Sequence, residues 1–97
     1  VVVYAPTPAP IAVSKHFAMD IVVCAKPGAP APQGLRLDAV MPEHNHGMNY
    51  KPGVIALGKG RYNADGLMLH MPGRWDFVFD VQTGGASERV TASLALK

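Results

Sequence analysis

A single cysteine, Cys24, leaves the chain with no possible internal disulfide, so thiol counting says little about its compartment. Cys24 lies in the apolar run "DIVVCAK", where a buried and inert thiol is expected. Charge is also scarce: 16% of residues are Asp, Glu, Lys or Arg, and the net charge is +2. The basic residues are scattered singly, with no stripe interleaved with aromatics, which argues against a nucleic-acid partner. No stretch approaches the ~20 consecutive apolar residues a membrane-spanning helix needs. The chain starts at Val1 rather than Met, which is compatible with a removed leader or membrane tether. No capped segment with a 3.6-residue apolar repeat signals a helix. Enzyme signatures are missing as well. There is no G-x-S-x-G, no phosphate-cradling loop, and no Ser or Cys with an evident base nearby, so the chain is not expected to be an enzyme.

What the sequence does hold is a series of short runs that alternate at period two. Proline at every second position of "APTPAP" (residues 5–10) reads as a stiff extended lead-in or edge segment. A second Pro/Gly stretch, "KPGAPAPQG" (residues 26–34), separates two apolar segments. In the first, Phe17, Met19, Ile21 and Val23 share a face, with His16, expected at the surface, and Asp20 on the other. In the second, Leu35, Leu37 and Ala39 alternate with Arg36, Asp38 and Val40. The clearest pattern sets Trp75, Phe77, Phe79 and Val81 against Asp76, Val78 and Asp80. Val90, Ala92, Leu94 and Leu96 form a last face after the Gly84-Gly85 break. "PGR" between "LMLHM" and "RWDFVFDVQT" reads as a tight hairpin turn. Six or seven such strands in 97 residues predict an all-β fold, an immunoglobulin-like antiparallel β-sandwich of about seven strands. Residues 1–10 form the lead-in and residues 11–97 a single sandwich domain.

The stretch "MPEHNHGMNY" (residues 41–50) concentrates soft and borderline metal ligands in one connection. In an extended segment, residues two apart project the same way at roughly 6.6–7 Å, so His44 and His46 would face together, with Met48 next. Met41 has the opposite parity, with Pro42 bending the chain beside it. A second pair, His70 and Met71, precedes Pro72 and Gly73. Met71 shares parity with Leu67 and Leu69 and is the better core residue of the two, while His70 shares the other face with Met68. Thioether and imidazole together suit copper, Cu(I) above all and Cu(II) as well. Zinc gives no reason for so many Met, and calcium or magnesium would need clustered oxygens, of which Glu43 supplies one.

The same residues carry a resemblance. Over roughly residues 13–83, with "MPEHNHGM" and "GRYNADGLMLHMPGRWDFVFDV" as its most specific parts, the chain resembles the YtkA-like domains. These are related in style to FixH and more distantly to CopC-type copper sandwiches. The resemblance implies an exported or membrane-tethered β-sandwich, periplasmic or otherwise extracytoplasmic, linked to copper handling or to assembly of copper oxidases. It matches Met41, His44, His46 and Met48 to the His/Met-rich loop, and His70 and Met71 to the strand end before the Pro-Gly turn. It gives Tyr62, Gly73 and Trp75 to the fold. The position of His70 is often not His in these domains, which favours a site here. The expected function is an extracytoplasmic copper carrier, buffer or metallochaperone, with a copper-receiving protein as partner. The alternative is a non-metal interaction module that docks on a membrane or periplasmic complex.

Overall fold

The computed structural model describes residues 2–7, 11–24, 28, 32–43, 46–48 and 51–96, with only the backbone of His46. The period-two runs become strands because alternation sends every second side chain to one face of a pleated segment. Among the described residues these are β1 (Val2–Thr7), β2 (Phe17–Val23), β3 (Gly34–Met41), β4 (His46–Gly47), β5 (Gly53–Gly58), β6 (Arg61–Leu67), β7 (Gly73–Thr83) and β8 (Ala86–Leu96). They form two four-stranded sheets, ordered β1-β2-β6-β5 and β4-β3-β7-β8, in which all paired strands are antiparallel. That is the strand order of an immunoglobulin sandwich with a short additional strand, β4, at the edge of the second sheet.

Register makes the core. Leu35, Leu37 and Ala39 stand opposite Val81, Phe79 and Phe77 across β3 and β7, and all six are buried. Phe17, Met19 and Ile21 of β2 close over them from the other sheet, the Phe17 ring lying edge-on to Phe77 at 6.3 Å. Tyr4 of β1 adds ring contacts to Phe77 and Phe79 at 5.8 and 5.4 Å. A slip of one residue would turn each of these faces to solvent, so the apolar pattern alone pins the pairing. The outer face of the second sheet is polar. Arg36, Asp80 and Arg89 stand in one cross-strand row, and Asp80 accepts a 2.9 Å hydrogen bond from Arg89 Nε. That bond and the carboxylate charge raise the Arg89 guanidinium above its ordinary value. An exposed pair of this kind adds little stability.

Gly60 closes the β5–β6 hairpin with φ of 77°, after Lys59 at 55°. Two successive left-handed residues make the turn that matches strand twist. A Cβ at Gly60 would come within 2.5 Å of the Val23 carbonyl oxygen, so only glycine fits where β2 ends.

Residues 2–7 are the edge strand β1 of the first sheet, so of the two readings of the Pro-rich stretch, lead-in or edge segment, the second holds for residues 5–7; Pro6 is tolerated there because an edge strand has one unpaired side. Two expectations change. The hairpin expected around "PGR" does not form. Leu67 ends β6 in one sheet and Gly73 begins β7 in the other, so residues 68–72 cross between sheets. Leu67 and Leu69 are both 0% exposed, and this crossing is anchored by the core rather than projecting as a strand. Cys24 is exposed, not buried. Parity explains it: Asp20 and Val22 face outward on β2, and Cys24 continues their side just past the strand's end. Apolar neighbours in sequence outweighed position in that expectation.

Phe77→Ala should destabilise the fold by about 3–5 kcal/mol, the usual loss for a large aromatic in a packed core, measured by urea unfolding followed through Trp75 fluorescence. Cys24 should react with a thiol reagent in the native protein at a rate within a few-fold of that in denaturant.

Candidate functional site

Among the described residues, Met41, Met48, His70 and Met71 lie at the end of the sandwich where β3 finishes and β7 begins. Trp75, two residues into β7, is fully buried, and its indole N–H donates a 2.9 Å hydrogen bond to the carbonyl of Met71. A buried indole needs such a partner, and here it fixes the crossing segment over its own ring. The same ring meets His70 edge-on, with centroids 5.6 Å apart and planes inclined at 76°. His70 is half-buried as a result.

The connection after β3 is held on the neighbouring strand. His46 pairs with Met41 and Gly47 with Val40, while the Met48 N–H donates to the Ala39 carbonyl at 3.3 Å. The peptide therefore returns along β3 as soon as it has turned. Between these ends Glu43 is exposed, and His44 lies outside the described residues, as does the side chain of His46.

A third segment arrives from the first sheet. Ser14 N–H donates to the Leu69 carbonyl at 2.9 Å, and its hydroxyl approaches the His70 carbonyl at 3.5 Å. Ser14 has φ of 60°, a left-handed conformation that non-glycine residues adopt only when their surroundings hold them there. The turn docks residues 11–16 beside residues 68–70 and delivers the exposed His16 to the same end.

The expected donors thus divide. Met41 is a correction: it is 1% exposed in the core, and a Cβ on Gly73, which has φ of 129°, would lie 2.9 Å from its Cε. Its parity on β3 continues that of Leu37 and Ala39, so it fills the sandwich end instead of joining the loop. Met48 and Met71 are half-buried and pack against the core, within reach of the surface. Met68 and His16, absent from the expected site, stand at this end too. Among the described residues no three or more His, Cys, Asp or Glu side chains converge.

No family model matches the chain, and no curated protein matches it. Among solved structures, a DUF4785 family protein from Legionella pneumophila subsp. pneumophila str. Philadelphia 1 is similar with a TM-score of 0.65 at 13% identity. The match covers 98% of this chain and 27% of that one. At that identity the likeness is one of fold, and this sandwich corresponds to about a quarter of the larger protein's length.

Trp75→Phe keeps an aromatic ring but strands the Met71 carbonyl. It should cost about 1–3 kcal/mol for the lost partner, with a further loss from the smaller ring, read from thermal or urea unfolding.

Proposed function

We propose that the chain is an extracytoplasmic copper-binding sandwich that carries or buffers Cu(I), or hands it to a receiving protein. His44 and His46 supply imidazoles, and Met48, Met71 and His70 complete the ligand set from the rigid end of the sandwich. Met41 drops out of that set because it serves the core. The observations that support the reading are the M-x-x-H-x-H-x-M string of the sequence and the place of Met48, held by its N–H on the Ala39 carbonyl, at the sandwich end where Trp75 seats His70 and Met71. Soft thioethers and borderline imidazoles favour Cu(I) over harder ions. The resemblance to YtkA-like domains supports an exported setting and a role in copper handling. The chemistry asked of the protein is modest: hold the ion in a low-coordinate soft site, shield it partly, and release it to a better ligand set.

The second reading, a docking module without metal, has one observation in its favour. Ile55 and Leu57, 57% and 56% exposed, lie on β5, an edge strand of the first sheet. Exposed apolar residues on an open edge suit strand addition by a partner.

Copper affinity separates the two. His44→Ala with His46→Ala should weaken Cu(I) binding roughly 100-fold or more under reducing conditions, measured against a Cu(I)-selective chelator, with the sandwich intact. Wild-type binding should weaken as the solution is acidified into the range where imidazole takes a proton, since a protonated ring has no lone pair to donate. Met48→Leu should lower Cu(I) affinity more than Cu(II) affinity, because thioether is a soft ligand. Equal Cu(I) affinities for the wild type and the double variant would favour the docking reading.

A further inference from the structure

The two sheets turn very different surfaces outward. The outer face of β3, β7 and β8 is charged and cross-linked: Arg89 donates to Asp80, and the Ser93 hydroxyl donates to Asp76 at 2.7 Å. The outer face of the first sheet has the opposite character. Among the described residues, the large hydrophobic side chains left exposed are Val3, Val22, Ile55 and Leu57, and all of them stand on that one face. Exposed apolar residues scattered singly are ordinary, but their collection on one side of one sheet marks an interaction surface.

The ladder fixes how they lie. Val3, Val22 and Arg61 are successive partners across β1, β2 and β6, and Leu57 lies beside that row on β5, next to Gly58, which pairs with Arg61. Ala5, Asp20, Asn63 and Ile55 make the next row along the strands. Each row is therefore apolar on the edge strands, β1 and β5, and carries its polar residues on β2 or β6 in the middle. Within these four strands the charged residues are Asp20, Arg61 and Asp65, and Asp20 accepts a 2.9 Å hydrogen bond from Asn63 Nδ2.

Such a face is complementary to itself. A two-fold axis running along the strands between β2 and β6 lays β1 of one copy over β5 of the other, with the sheets packed as in a sandwich. Val3 then meets Leu57 of the other copy, and Ala5 meets Ile55. In the middle Asp20 faces Asn63 of the other copy, with Arg61 on its diagonal. A carboxylate is thus set against an amide and a guanidinium, not against its own counterpart. Val22 lies against the aliphatic stem of Arg61.

We infer that the outer face of the first sheet is a self-association surface, on which a second copy of this chain packs face to face about a two-fold axis. A strand added at the β5 edge would leave Val3 and Val22 in water, whereas a second sheet covers all four. The inference does not rest on copper, since none of the proposed ligands lies on β1, β2, β5 or β6.

One sheet face is at the small end of specific interfaces, so sedimentation equilibrium should show monomer and dimer exchanging between about 10 µM and about 1 mM. Ile55→Lys with Leu57→Lys, at positions outside the core cluster, should weaken the dimer about tenfold or more, with far-ultraviolet circular dichroism unchanged. Oxidation then tests the geometry. Within one copy β1 and β5 are three strand spacings apart, roughly 14 Å, beyond the roughly 7 Å that a disulfide spans. In a Cys24→Ser background, Val3→Cys with Leu57→Cys should therefore bridge two copies, and neither substitution alone should do so. A chain that stays monomeric to about 1 mM overturns the inference and leaves the face to a different protein. A dimer indifferent to Ile55→Lys with Leu57→Lys overturns it too, as do a doubly substituted chain that forms no bridge and growth beyond the dimer, which a closed two-fold forbids.

Discussion

The hydrogen bond from the Trp75 indole to the Met71 carbonyl ties the fold of this chain to its candidate chemistry. Trp75 is first a core residue, fully buried where the two sheets close at one end. Burying an indole leaves one N–H that must be satisfied, and the acceptor is a carbonyl in the segment that crosses from β6 to β7. The core's need for a partner therefore dictates the path of the crossing. That path seats His70 against the indole edge and leaves Met71 half-buried above the core. Rigid elements hold ligands more precisely than loops do, and here a loop borrows rigidity from a buried ring.

The same end shows how one residue type divides between packing and chemistry. Met41 continues the inward parity of β3 and reaches Gly73, where glycine leaves room for its terminal methyl group. Met48 and Met71 lie at the boundary, their stems against the core. Met68 alone stands apart from the core, beside the segment that Ser14 docks. A thioether at the boundary can pack in the absence of an ion and ligate in its presence. Such a graded arrangement suits an ion that must be held and then passed on.

The fold was legible because alternation is a direct imprint of a two-sided sheet. The runs through Phe17, Leu35 and Trp75 each predicted a buried face, and the ladder registers join those faces residue by residue. The errors came where a local signal competed with a longer-range one. Pro72-Gly73 resembles a hairpin turn, but Leu67 and Leu69 draw the crossing into the core and carry the chain to the other sheet. Cys24 has apolar neighbours, yet its parity belongs to the outward side of β2. Met41 sits in a His/Met-rich string, but strand parity sends it inward. For the candidate site, the sequence pointed to the connection after Met41 and to the His70-Met71 pair, and of these residues Met48, His70 and Met71 lie half-buried at one end of the sandwich. It did not bring the segment around Ser14 to residues 69 and 70, because that docking depends on a bond between residues 55 apart in the chain, Ser14 and Leu69.

A β-sandwich alone does not specify a function, and this strand order is shared by proteins with many different tasks. What distinguishes this chain is the concentration of imidazole and thioether in its sequence, at residues 41–48 and again at His70 and Met71. The most direct test of copper as the ligand is X-ray absorption at the copper edge on the Cys24→Ser chain loaded with one equivalent of Cu(I), so that any sulfur seen must come from Met. The nearest neighbours of the copper should then include both imidazole nitrogen and thioether sulfur. A copper surrounded only by nitrogen and oxygen, or lost from the protein on desalting, would contradict a site built from this His/Met end.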